Sequence, residues 1–349
     1  MTYRVVQWTT GNVGKQSVEA VLRHPDFELI GCYAFAADKI GQDVGTLCGL
    51  PPAGVTATND IDELLSLKPD VVIYNPMWVN VDEMVRILEA GVNIVTTASF
   101  ITGHSLGEGR ARIIAACEKG SATVFGSGIN PGFADFIAIA STSGCDQIDK
   151  ITVTETADIS GYDSPTTEIP VGFGRPIDDP DLFEMTRSGT AIFEDAVRLF
   201  GDALGVEFDE VVCEAEYAET TQDIDLGSWS ISAGCVAGIA ASWHGKVAGR
   251  SIVELRFRWR KGQSLKPEWS IDGPTYLVEI DGRPSIRTAI DVLPPKDFKG
   301  TTLNDFMVLG MVATAMPTLN AIPQVVAAEP GIATYTSLPL PLPRGLVTL

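Results

Sequence analysis

The chain has 349 residues, 45 acidic against 25 basic side chains, a formal charge of −20 at pH 7 and 45% hydrophobic residues. That length exceeds a usual single domain and suggests two with an ample core. The negative balance argues against nucleic acid or an anionic membrane surface as partner. Six scattered cysteines without a C-x-x-C pair, and three histidines without H-E-x-x-H, speak against a disulfide framework and leave no metal site to expect.

Met1-Thr2-Tyr3-Arg4 runs straight into an apolar strand with no basic segment, apolar run and small-residue cleavage site. A soluble, cytoplasmic protein is expected, and the longest weakly polar stretch, 233–243, is too short to span a bilayer. Tyr3, Val5, Val6 and Trp8 form the strand, Thr9-Thr10-Gly11-Asn12-Val13-Gly14-Lys15 a glycine turn, and Val18, Val21 and Leu22 the stripe of a helix. In that order, Gly11 admits a pyrophosphate close to the backbone and Gly14 lets helix pack on strand. The first free amides of the helix face the phosphates. Thr9 stands where the first glycine of G-x-G-x-x-G belongs.

A second strand over 28–33 runs out into Ala34, Phe35, Ala36 and Ala37 before Asp38 and Lys39. Without a carboxylate at its end to hold the ribose hydroxyls, NADP is preferred, while Asp38 keeps NAD open. A short helix at 60–67 follows, then a buried strand at 70–75 ending in Asn75-Pro76. Asn80 and Glu83 read as a capping box for a helix that Gly91 closes. A strand at 92–97, a helix at 109–119 and a strand at 122–125 complete a doubly wound parallel sheet, an α/β Rossmann domain.

Past that sheet lies Gly126-Ser127-Gly128-Ile129-Asn130-Pro131-Gly132-Phe133, where Asn130 offers a donor and an acceptor at a strand end, either as a ligand contact or within a hinge. A helix at 134–143 follows. From Asp149 the period changes to two: Ile151 and Val153, then Val211 to Tyr217, then Val253 to Trp259, alternate with polar residues. Asp281-Gly282 reads as a type I′ hairpin turn, and a helix at 191–204 is closed by Gly205. The second domain is thus α+β with a mostly antiparallel sheet. Its Arg256, Arg258 and Arg260 comb reads as a solvated face or subunit contact. Helical spacing at 303–315 is expected to stop before Pro317 and restart at 320–326, and the alternating prolines of 338–343 to run extended along the first domain. The expected domains are 1–135, 136–300 and a C-terminal segment, 301–349.

Thr9 to Gly14, the 126–133 run, and the late Asn320-Ala321-Ile322-Pro323 with Pro330-Gly331-Ile332 together resemble the dihydrodipicolinate reductase-like family, in its diaminopentanoate dehydrogenase and native amine dehydrogenase branch. The resemblance covers nearly the whole chain. It implies a homodimer that interconverts an amine with a small ketone or aldehyde plus ammonia, using NADP or NAD. Cofactor contacts are expected from Thr9, Thr10, Gly11, Asn12, Val13, Gly14, Asp38, Lys39, Asn75, Pro76, Thr97, Asn130, Pro131 and Asn320. Trp78, Phe100, Phe133, Phe173 and Trp243 are candidates for an apolar substrate pocket. Members of the branch carry a glutamate just past the strand ending at Thr97, where this chain reads Ala98-Ser99-Phe100, so that acid–base residue does not carry over. Glu108, His104 and His244 are the candidates in its place, with Ser105 to Glu108 also reading as a capping box. The rival readings are an imine or carbonyl reductase, a non-catalytic cofactor-binding protein, and a serine hydrolase through Gly103-His104-Ser105-Leu106-Gly107, which matches G-x-S-x-G.

Overall fold

The computed structural model describes residues 2–347. Met1, Thr348 and Leu349, at the two ends of the expected domains, lie outside the described residues. The first unit alternates β1 (Tyr3–Trp8), α1 (Asn12–Arg23), β2 (Phe27–Tyr33), α2 (Val44–Leu47), β3 (Ala57–Thr58), α3 (Ile61–Ser66), β4 (Val71–Tyr74), α4 (Val81–Glu89), β5 (Asn93–Thr96), α5 (Glu108–Gly120) and β6 (Thr123–Gly126). The chain leaves this unit after Phe133 and returns to it at Gly310. In between stand α6 (Ala134–Thr142), β7 (Gln147–Asp158), α7 (Pro165–Val171), α8 (Leu182–Gly189), α9 (Ile192–Leu204), β8 (Glu210–Thr220), β9 (Ile224–Asp225), β10 (Ser230–Ile231), β11 (Val236–Val247), β12 (Arg250–Arg260), β13 (Leu265–Lys266), β14 (Tyr276–Arg283) and β15 (Ile286–Ile290). Helix α10 (Leu303–Val326) and strand β16 (Gly331–Ala333) end the order.

The first sheet runs β16-β6-β5-β4-β1-β2-β3 and every described pairing in it is parallel. Parallel strands need crossovers, and the crossing helices bury both faces. On one face Val18 and Val21 of α1 and Leu319, Ile322 and Val325 of α10 pack on Val5, Val71 and Val95. On the other, Leu64, Met84, Ile87 and Ile113 pack on Val6, Val72 and Val124. From β1 the chain goes to β2 on one side and later to β4 on the other, so the order reverses beside β1. A doubly wound sheet opens its ligand crevice there, past the strand C-termini.

The second sheet runs β13-β8-β11-β12-β7-β14-β15, antiparallel except for β12 with β7. Helices α6 and α9 lie against one face, and Tyr217 of β8 ties α8 to it through Thr186. The opposite face carries Thr154, Thr156, Glu214, Glu216, Ala240, Ser242, Glu254, Arg256 and Arg258 around a hollow of about 500 Å³. In the arginine comb, Arg256 Nε donates to Thr154 Oγ1 at 2.7 Å and Arg260 Nε to Asp158 Oδ2 at 3.1 Å.

Three local expectations need correction, and one strand was not expected. Asp281-Gly282 lies in the expected hairpin, since Ile280 opposes Ile286, but it is no two-residue turn: both residues stay paired with β7 and the connection runs over 281–285. Gly282 serves close approach instead, since a Cβ there would stand 2.1 Å from the Gln147 carbonyl oxygen. Pro317 does not stop α10, which runs unbroken for 24 residues with Pro317 and Pro323 inside it. Tertiary burial of Ala315, Leu319, Ala321, Ile322 and Val325 outweighs the lost amides. Its length and mean hydropathy of 1.4 also make α10, not 233–243, the one described helix long and apolar enough to cross a membrane. Finally, β11 gave no alternating signal, because Val236, Ala237, Ile239 and Ala241 are buried with Gly238 among them, close to Trp269.

Candidate active site

The glycine turn is built around a threonine in the left-handed region. Thr9 has φ +75, the conformation that favours glycine in the fingerprint. Three hydrogen bonds hold it there. Its amide donates to the Tyr33 carbonyl at 2.9 Å, its hydroxyl to the Asn75 carbonyl at 2.9 Å, and its own carbonyl accepts from Gln7 Nε2 at 2.8 Å. Gly14 packs so tightly that a Cβ would stand 2.4 Å from the Thr9 oxygen, whereas nothing lies within 4 Å of a Cβ built on Gly11. Gly11 caps α1 without a side-chain bond, and the first turn holds no acidic residue. The amides of that turn and the open space before Gly11 make a cradle fit for a pyrophosphate.

Asn75 is a hub rather than an isolated contact. Its Oδ1 accepts from Gln7 Nε2 at 2.9 Å and from Ser17 Oγ at 3.4 Å, and its Nδ2 donates to Thr97 Oγ1 at 2.6 Å. The ends of β1, β4 and β5 and the first helix are thereby tied together behind the turn. Gln7 and Ser17, both fully buried, were missed in the sequence; the signal available was one amide inside the apolar run of β1. Lys39 Nζ donates to Thr10 Oγ1 at 3.1 Å, and Asp38 is exposed. Burial pushes the Cys48 thiol up, and Lys15 and Lys39 both pull it down.

Asn80 caps α4 by accepting from the amides of Asp82 and Glu83 at 3.1 and 3.2 Å. The return half of the box is absent. Glu83 Oε2 accepts from Tyr74 OH at 2.8 Å and from Trp8 Nε1 at 3.2 Å, and the Tyr74 oxygen takes the Asn80 amide at 3.2 Å. Both ends of the loop carrying Pro76 and Trp78 are fastened by this relay. Trp78 itself is 46% exposed.

Two of the acid–base candidates belong to the first unit and one to the second. Glu108 is exposed as the first residue of α5, with Gly107 as its cap, so Ser105 and Glu108 form no capping box. His104 is exposed in a 3-10 turn, its Nδ1 2.9 Å from Thr102 Oγ1. Ser105 shares that turn, well past the end of β5 at Thr96, and so lacks the strand-to-helix elbow of a serine hydrolase. His244 belongs to the second unit, where its Nδ1 lies 3.0 Å from Ser251 Oγ and burial pushes its imidazole down. Phe100, Phe173 and Trp243 are core side chains, Trp243 Nε1 donating to Thr190 Oγ1 at 3.1 Å. Phe133 is half-buried at the end of the first unit, with Asn130 extended and Pro131 buried just before it. Asn320 is half-buried on α10 between the core residues Leu319 and Ala321.

A Rossmann unit with this cradle, joined to a mixed-sheet unit, defines an NAD(P)-binding dehydrogenase. A model of the dihydrodipicolinate reductase N-terminus matches residues 5–123, and one of the 2,4-diaminopentanoate dehydrogenase C-terminal domain matches residues 133–348. The amine dehydrogenase of Streptomyces virginiae is 31% identical over 357 residues, covering 97% of this chain and 96% of that protein. The 2,4-diaminopentanoate dehydrogenase of Acetoanaerobium sticklandii is 25% identical over 76% of this chain and 71% of its own length. The structure of the amine dehydrogenase from Mycobacterium smegmatis shares the fold, with a TM-score of 0.81 at 19% identity over 99% of this chain and 98% of that one. The chain belongs to the 2,4-diaminopentanoate dehydrogenase and amine dehydrogenase family, oxidoreductases acting on CH–NH2 groups.

Proposed function

We propose that this protein catalyses the NADP-linked reductive amination of a small ketone or aldehyde with ammonia, and the reverse oxidative deamination. The observation that carries this reading is relatedness to an amine dehydrogenase over 97% of the chain, joined to an intact pyrophosphate cradle. The nicotinamide, when bound, supplies the hydride that reduces the C=N carbon. The chain's own work is orientation and proton handling. The first-turn amides of α1 hold the pyrophosphate, and the Asn75 hub keeps Thr9 and Thr97 in place along the crevice. Glu108 is assigned the proton exchange at the substrate nitrogen, ahead of His104.

The test follows NADPH and NADH absorbance over a panel of ketones with and without ammonium. Oxidation only with ammonium is expected, and Glu108→Gln should cut kcat at least tenfold. Oxidation independent of ammonium would identify an imine or carbonyl reductase. Cofactor binding without turnover would identify a non-catalytic protein.

The preference for NADP rests on Lys39, held at the turn by Thr10, and on a second strand that ends without a carboxylate. Lys39→Glu is expected to weaken NADPH at least tenfold while changing NADH little, read by titrating each nucleotide; an equal loss for both sinks the assignment. The homodimer is assigned to the open face of the second sheet, whose Glu214, Glu216 and Glu254 and Arg256 and Arg258 surround small Ala240 and Ser242. Such a face is complementary in charge to a second copy of itself. Arg256→Glu combined with Arg258→Glu should convert the dimer to monomer in sedimentation; an unaltered mass would place the contact elsewhere.

A further inference from the structure

We propose that Tyr335, from the C-terminal segment, is a positioning residue for the 126–133 turn and thereby for the reacting half of the crevice. This rests on the proposed amine reading and on the expectation, implied by the family resemblance, that Asn130 in the turn contacts the cofactor. The chain returns to the first unit to add β16 beside β6, with Ile332 opposite Val124 and Ala333 opposite Phe125. Thr123 Oγ1 donates to the Glu329 carbonyl at 2.9 Å and the Gly331 amide to that of Ala122 at 3.1 Å, which fixes the register. At Thr334 the backbone folds over, its carbonyl accepting the Ser337 and Leu338 amides at 3.1 and 3.0 Å. Two residues past the Ala333–Phe125 pair, Tyr335 stands beside Ser127. Its ring meets Phe125 edge-on at 5.2 Å, and its hydroxyl lies 2.7 Å from Ser127 Oγ.

Ser127 is where the turn is gripped. Its amide donates to the Thr96 carbonyl at 3.0 Å, and a Cβ on Gly132 would stand 2.6 Å from its hydroxyl. The serine is therefore clamped between the Gly132 backbone, at φ +136, and the phenol. Asn130 sits inside the loop that this clamp closes. A catalytic contact on a loop is only as well placed as the groups behind it, and a displacement near 1 Å costs on the order of a hundredfold in rate. The last strand thus does more than extend the sheet.

Tyr335→Phe deletes only the hydroxyl and keeps the ring on Phe125; Ser127→Ala deletes the other half. Each is expected to lower kcat about tenfold at saturating NADPH, with the melting temperature and the NADPH dissociation constant little changed, and the double variant to be no worse than either single. Amide hydrogen exchange in 126–133 should rise about tenfold in Tyr335→Phe, with 9–15 unchanged. Unchanged exchange at 126–133 overturns the proposal, as does raised exchange with wild-type kcat. If the wild type shows no ammonium-dependent turnover, the amine reading fails separately, and the exchange arm still decides the role of Tyr335.

Discussion

Gly14→Ala should abolish nucleotide binding and lower the melting temperature, whereas Gly11→Ala should weaken binding and leave the melting temperature unchanged. The added Cβ at position 14 would stand 2.4 Å from the Thr9 oxygen, 3.1 Å from Gln7 Nε2 and 3.2 Å from the Thr9 carbonyl carbon. The Thr9 atoms cannot yield cheaply. That carbonyl is held by Gln7, and the residue is already at φ +75 with its hydroxyl committed to Asn75. Relief must come from moving α1 away from β1, which costs about 1–3 kcal/mol and swings the first-turn amides off the phosphates. A hundredfold or greater loss of affinity, about 2.7 kcal/mol, follows. At Gly11 the backbone has φ −72, which alanine adopts freely, and the methyl would point into open space. Its whole effect then falls on the ligand. Nucleotide titration beside thermal melts checks the pair, and equal behaviour of the two variants would remove the cradle from the argument.

Lys261→Met should cost about 3–5 kcal/mol, the penalty for breaking a buried ion pair from one side. Lys261 is 0% exposed and Glu168 3%. The ammonium lies 2.6 Å from Glu168 Oε1 and donates to the Ile159 and Tyr162 carbonyls at 3.1 and 2.7 Å. Glu168 Oε2 also accepts the Ser164 amide at 3.3 Å. Burial pushes the Glu168 carboxyl up and the Lys261 ammonium down, and each offsets the other's penalty. Without the ammonium, the carboxylate and both carbonyls lose their donor in a dry site. Glu168 in that variant keeps a folded pKa above its unfolded value. The proton it takes up stabilises the fold below the ordinary 4.5, and this gain is lost as pH rises through the folded pKa. The deficit measured by urea unfolding should therefore be smaller at pH 5 than at pH 8. Lys261→Met with Glu168→Leu should regain most of the loss, since an apolar pair leaves no buried charge. A single variant as stable as the wild type would show the pair to be solvated.

Much of the first unit was legible in the sequence because its determinants are local. Strand, glycine turn and helix follow one another within about twenty residues, and their hydrophobic periods differ. The same locality explains Asn80 as the cap of α4 and Gly205 as the stop of α9. Where two local rules competed, packing chose between them. Asp281-Gly282 has the chemistry of a tight turn, yet pairing with β7 continues through both residues with a register shift between them, and burial of the second half of α10 carries the helix through two prolines.

Sequence order and side-chain type thus determined the alternating sheet, the glycine turn and the family. Only the tertiary structure could decide that Thr9 is held left-handed by Gln7 and Asn75, that Glu83 serves Trp8 and Tyr74 instead of its own helix, and that Tyr335 reaches Ser127 across 208 positions of chain. Gln7 to Thr9 spans two positions, but each of the others is a hydrogen bond between residues nine to 208 positions apart. Its partners are set by how strands are ordered in the sheet, which no local propensity encodes.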